Sequence, residues 1–484
     1  MRARVSDVAS RLHAQFKVPR CPRPTGAPGA AVMLVVLAAA FASPARADGA
    51  APQPMDIWQR DKLTGDWGGA RTDASNHGID FTFNYIGETL GMLGGFRQGA
   101  DYEHRFEFSI DTDLDKMFGW SGASAHTTFY QIGHANGLPV VDYVGSIADP
   151  SNIEAQPSTR LFTAWFQKNF MDDKVSLRVG QIAADDEFLI SPTATNLINS
   201  TFGYAALLAA DQFQGGPVYP LATPGIRLQL KPTDEITFLS AVFSGAPAGA
   251  NCVGLPQQCD AYGTTFSMSG GALFMEELQY GINQAKDAKG MPGVYKLGGW
   301  YATASFADLH FGLDAAGMQV SLASPVSVAP ITHQGNWGIY GVADQMVWRA
   351  QKGSQSLNAF FRAGASPSDR NLVSFYVDGG LGLKAPLPGR DDDVLTFGIA
   401  YSKISPDAAA LDTDTQIFTG SFFPVRDQEI VLELDYSLQL APWWTLQGDL
   451  QQIIHPGGNV PAPLNPTQAI QDAFVVGARS TIKF

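Results

Sequence analysis

The segment EIVLELDYSLQL alternates, with Val431 the one apolar residue on its polar side. Ile430, Leu432, Leu434, Tyr436, Leu438 and Leu440 fall on one side, and Glu429, Glu433, Asp435, Ser437 and Gln439 on the other. A period of two over this length predicts a strand with one apolar and one polar face. The final stretch, FVVGARSTIKF, repeats the pattern, with Phe474, Val476, Ala478, Ile482 and Phe484 opposed to Arg479, Thr481 and Lys483. In HRFEFSIDTDLDKMF, Phe106, Phe108, Ile110, Thr112 and Leu114 oppose Arg105, Glu107, Ser109, Asp111, Asp113 and Asp115. KVSLRVGQ sets Val175, Leu177 and Val179 against Ser176 and Arg178. GIRLQLKP sets Ile226, Leu228 and Leu230 against Arg227, Gln229 and Lys231. Turn signals such as FMDDKV and KPTDEI part these strands by a few residues.

Longer stretches rich in Gly, Pro and Ala lie at 133–158, 190–222, 244–271 and 403–416. Short turns at one end and long loops at the other is the layout of a transmembrane β-barrel. Energetics assigns the faces. An Arg or Lys facing lipid at mid-bilayer costs about 2–4 kcal/mol, so a strand carrying Arg105, Glu107, Asp111 and Asp113 must turn them inward. Trp348, Trp443, Trp444 and Tyr301 fall near strand ends, where interfacial girdles form. After the leader described next, no apolar run is long enough for a spanning helix, which needs about 20 residues.

The first residues read as an export leader. Arg2, Arg4, Arg11, Lys17, Arg20 and Arg23 precede the apolar run AAVMLVVLAAAFA, and Ala45-Arg46-Ala47 supplies a small-x-small cleavage site. Cleavage is expected after Ala47, leaving 48–79 as a periplasmic N-terminal segment and 80–484 as the barrel. The N-terminal segment leaves room for a short helix around Ala70 to Asn76. Without the leader's seven Lys/Arg and one Asp, the chain's 32 basic and 46 acidic residues fall to 25 and 45. That acidic balance argues against nucleic-acid binding. Of three cysteines, Cys21 leaves with the leader. Cys252 and Cys259 stand close together in GAPAGANCVGLPQQC and are expected to form a disulfide after export.

The stretch LTGDWGGARTDASNHGIDFTFNYIGETLG resembles the opening of carbohydrate-selective porins of the OprB type. PGVYKLGGWY (292–301), GIYGVADQMVW (338–348) and LQGDLQQIIHPGG (446–458) resemble further blocks of that family in the same order. A chain ending on an aromatic after an alternating strand also looks like an outer-membrane barrel closing on itself. The resemblance implies a closed antiparallel barrel of about 16 strands in the outer membrane of a Gram-negative cell. It implies passive diffusion of mono- and oligosaccharides, with outer-membrane lipid as the surroundings. Homotrimer and monomer both stay open.

Enzyme signatures fail one by one. Asp111-Thr-Asp113-Leu-Asp115 begins like a calcium loop, but Lys116 stands where the turn glycine belongs. Gly380-Leu-Gly382 matches a loose dinucleotide fingerprint inside a strand pattern with no following helix. Gly119-Trp-Ser-Gly122 misses a nucleophile elbow by one residue. Neither an enzyme, nor a cofactor, nor a metal is expected. Periodicity alone nominates Arg105, Glu107, Asp111, Asp113, Arg178, Arg227, Glu433, Asp435 and Arg479 as lining a sugar constriction. Their guanidinium and carboxylate groups can replace the water around sugar hydroxyls, and nearby aromatic faces would stack on the sugar ring. Loop 190–222 is expected to fold inward and narrow the bore. A general or cation-preferring porin is the first rival, given the acidic balance. A secreted β-rich carbohydrate-active enzyme is the second.

Overall fold

A computed structural model describes residues 56–484. The expected leader, its Cys21 and the start of the following segment lie outside the described residues. Sixteen strands make one sheet. The first eight are β1 (Ile79–Gly95), β2 (Gly99–Asp113), β3 (Ala123–His134), β4 (Ser158–Phe170), β5 (Val175–Ile182), β6 (Thr223–Leu230), β7 (Ile236–Ser244) and β8 (Ala272–Ile282). The rest are β9 (Gly293–Leu313), β10 (Ala329–Arg349), β11 (Ser356–Ala365), β12 (Val373–Lys384), β13 (Val394–Ile404), β14 (Gln428–Ala441), β15 (Trp444–Ile454) and β16 (Gln471–Lys483). Each strand pairs antiparallel with the next, and β1 pairs with both β2 and β16. Thr89 thus faces Tyr102 on one side and Ala478 on the other, and the ring closes. Closure removes the unpaired edges that hydrocarbon would not tolerate. A short strand, Gln319–Ser321, adds to the far end of β9 and is not a member of the ring.

The alternation is realised as read. On β14, Leu434 is 41% exposed while its neighbour Glu433 is 1% exposed. On β8, Leu278 is 49% exposed beside a Glu277 at 0%. Phe106, Val179, Ile226, Phe397 and Val476 share the outer apolar surface. Tyr301 and Trp348 are also exposed there, whereas Trp443 is buried beneath Trp58, its ring centroid 6.1 Å away. Trp443 therefore joins the N-terminal segment to the turn between β14 and β15, and its Nε1 donates to the Ile57 carbonyl at 2.8 Å. That segment carries a helix over Ala70–Asn76. It crosses the short-turn end, where the Leu63 amide donates to the Lys483 carbonyl (2.8 Å).

The inner face is not uniformly polar. Met275, Trp300, Tyr340, Phe360 and Tyr376 point inward and are buried. They pack against Phe188, Leu189, Leu197, Phe202, Leu207 and Leu208 of the long connection 183–222. Inward glycines make room for it. A side chain at Gly398 would meet Phe202 at 2.8 Å, and one at Gly382 would meet Thr193 at 2.9 Å. Gly382, in the stretch that resembles a nucleotide motif, is thus part of a smooth seat for a loop.

Candidate permeation constriction

Connection 183–222 leaves β5 and reaches the opposite wall, so it must cross the bore. Wall carboxylates and amides receive it in sequence. Leu189 N donates to Glu277 (2.7 Å) and Thr193 N to Asp344 (2.8 Å). Ile198 N and Asn199 N donate to Glu433 at 2.5 and 3.0 Å. Arg362, fully buried and bonded to Asp378, donates to the carbonyls of Thr201 (2.9 Å) and Gly203 (3.2 Å). A second connection, 135–157, lies beside it. Ile147 N and Ala148 N bond Glu429 at 2.7 and 3.1 Å. Ser151 bonds Glu88, which also holds Arg479 (2.5 Å). The two connections meet where Asn152 N donates to the Ile198 carbonyl (2.8 Å). Backbone groups of loops cannot stay unsatisfied away from water, and these charged acceptors meet that demand.

On the β2–β6 side the loop presents charge as well as apolar bulk. Glu187 bridges Arg178 and Arg227, each at 2.7 Å. Gln167 on β4 accepts from both, from Arg178 Nε at 3.1 Å and Arg227 Nη2 at 3.0 Å. Arg178 lies over the Trp165 ring (3.8 Å to its centroid). His126, on the neighbouring β3, stacks on the same Trp165 at 4.9 Å and bonds Asp111 at 2.7 Å. Arg105 sits over Tyr130 (4.6 Å) and over Tyr219 of the inward loop (5.1 Å). Guanidinium groups over aromatic faces are held electrostatically. Trp165, Tyr130 and Tyr219 therefore have guanidinium groups over them and fix those groups in place.

The nine residues nominated by periodicity divide. Arg105, Glu107, Asp111, Arg178 and Arg227 stand on the β2–β6 wall by the charged loop face. Asp113 departs from expectation. It ends β2 and caps the helix Leu114–Phe118, accepting from the Asp115 and Lys116 amides at 3.0 and 3.1 Å. Glu433, Asp435 and Arg479 are buried on the far wall under the two connections, where they support the loops. Sequence reading missed Glu187, Gln167, Trp165 and Tyr219. Strand alternation could have flagged Gln167 beside the outward Phe166. Glu187 and Tyr219 lie in a connection without periodicity.

The inward connections also carry perturbed carboxyls. Burial lifts Asp185 to about 6, and burial with the neighbouring Asp185 lifts Asp186 to about 7. Burial raises Asp149 to about 7 and pushes Glu154 well above its ordinary range. In the undocked loop these acids ionise near their ordinary values, so the docked loop holds more protons. Docking is then fully favoured at low pH and weakens as pH rises through 6–7. Single-channel current noise is expected to grow from about pH 5 to about pH 8, and recordings across that range check it.

A sequence profile of the family described as carbohydrate-selective porin, OprB family, matches residues 97–484. The chain belongs to that family. Porin B of Pseudomonas aeruginosa is 25% identical over 421 residues, covering 82% of this chain and 87% of that one. The high-pH structure of Pseudomonas putida OprB superimposes with a TM-score of 0.76 at 22% identity, covering 88% of this chain and 99% of that one. The low-pH structure of the same protein gives 0.53 at 18% identity over the same 88% of this chain. The porin is thus a 16-stranded antiparallel barrel of the outer membrane, and its relatives are channels. The disulfide expected at Cys252–Cys259 is formed, in the connection between β7 and β8.

Proposed function

We propose that this porin passes small sugars such as glucose by passive diffusion, without covalent chemistry, between the inward loop and the β2–β6 wall. The observation that carries the reading is the Arg178–Glu187–Arg227 bridge, in which a charged side chain of the loop meets charged side chains of the wall. Fixed donors and acceptors of both signs within one short span suit a neutral polyhydroxylated solute. Such a solute exchanges its water shell for them at little cost. Arg105, Glu107 and Asp111 extend the same polar wall, and glucose is the size of solute that one such bridge would engage. A leader over residues 1–47 would deliver the chain for export. The test is liposome swelling with glucose, glucosamine and gluconate at matched osmolarity. Glucose is expected to enter fastest. Equal or faster entry of glucosamine would instead mark a cation-preferring porin.

A further inference from the structure

Three carboxylates lie together on the far wall, away from the constriction. Asp435 on β14 and Asp449 on β15 are direct cross-strand partners, and Glu433 is one step along the same inner face. Oxygens of all three fall within 4.8 Å of one another. Asp435 and Glu433 are each 1% exposed and Asp449 2%. Like charges directly opposed across a strand pair repel, and burial sharpens the repulsion. Among the described residues, no Arg, Lys or His forms an ion pair with any of the three. Arg479, on the next strand, is engaged by Glu88.

The neutral donors do not complete the cluster. Gln447 Nε2 reaches Asp435 Oδ2 at 2.7 Å, and Gln451 Nε2 reaches Asp449 Oδ2 at 3.0 Å. Both Oδ1 atoms, one from each facing aspartate, are buried without any hydrogen-bond partner. Buried acceptors are almost always satisfied. Two orphan oxygens from opposed residues beside a third carboxylate leave room for a cation, or a shared proton, between them.

We propose that Glu433, Asp435 and Asp449 form a site for a hard divalent cation, calcium being the best match. The donor set is oxygen only, with no thiol or imidazole, which selects calcium or magnesium over zinc or copper. Facing carboxylates on flexible stems suit calcium's irregular shell better than magnesium's octahedron. Glu433 is also the acceptor of Ile198 N and Asn199 N, and Gln447 donates to the Asn196 carbonyl at 2.7 Å. The cation would therefore fasten the loop that narrows the bore to β14 and β15 from the side opposite the arginines.

The test uses the full-length porin purified in detergent and stripped with EDTA. Calcium chloride is titrated by calorimetry, and thermal unfolding is followed with and without calcium. One calcium per chain is expected, with a rise in Tm. Asp435→Asn and Asp449→Asn are each expected to abolish binding and the calcium-dependent rise. Each should also be more stable than stripped wild type, because the repulsion is relieved. Calcium binding of equal affinity in both variants would overturn the site. So would absence of calcium and magnesium binding by wild type, which would mean that shared protons alone compensate the cluster.

Discussion

Arg362→Leu is expected to raise single-channel conductance severalfold while leaving the barrel assembled. Arg362 is the main cation of the inward loop's far landing. It bonds Asp378 and donates to loop carbonyls at Thr201 and Gly203. Removing one partner of a buried pair leaves the other charge uncompensated, at a cost of about 3–5 kcal/mol. The ring of backbone hydrogen bonds is untouched, so the loss falls on the docked loop and on local packing. The carbonyls freed from Arg362 regain partners only in water, which the loop reaches by leaving the wall. Glucose should then enter faster, and discrimination against charged solutes should fall. Planar-bilayer recordings of the variant beside wild type check this; unchanged conductance with a folded barrel would show that apolar packing alone holds the loop.

The second large effect is expected at the charged face. In Arg178→Ala/Arg227→Ala both guanidinium groups that Glu187 bridges are gone. A hydrogen bond to a charged group contributes about 1.5–3 kcal/mol, and 1.4 kcal/mol corresponds to a factor of about ten. Glucose block of the ion current should therefore weaken by at least about tenfold. Cation preference should rise, because Glu187 and the nearby acids lose their counter-charge. The two readouts separate roles: a general widening would raise conductance without a change of ion preference, whereas loss of fixed guanidinium groups shifts both.

Much of this is legible in the sequence. Alternation in EIVLELDYSLQL and HRFEFSIDTDLDKMF placed Leu434 outside and Glu433 inside because a bilayer penalises the reverse. The long connections were visible as breaks in that alternation. What alternation could not show was what the inner positions face. Asp435 and Arg178 look alike in sequence, both polar and inward. One lies sealed under a loop and the other stands beside Glu187 at the bore, and the difference is set by the path of residues 183–222. Strands such as ITFLSAVFS and SLNAFFRAGA carry a weaker pattern for the same reason: their inner residues, Leu239, Phe243 and Phe360, pack against that loop or beneath it. Asp113 misled because a strand's last residue answers to its turn and not to the bore.

The most direct measurement is a crystal structure of the porin soaked with glucose. The sugar is expected against Arg178, Glu187 and Arg227, its hydroxyls within hydrogen-bond reach of both charge types, with residues 183–222 still docked on the far wall. Glucose bound only elsewhere in the bore, with that bridge closed and unvisited, would contradict the account.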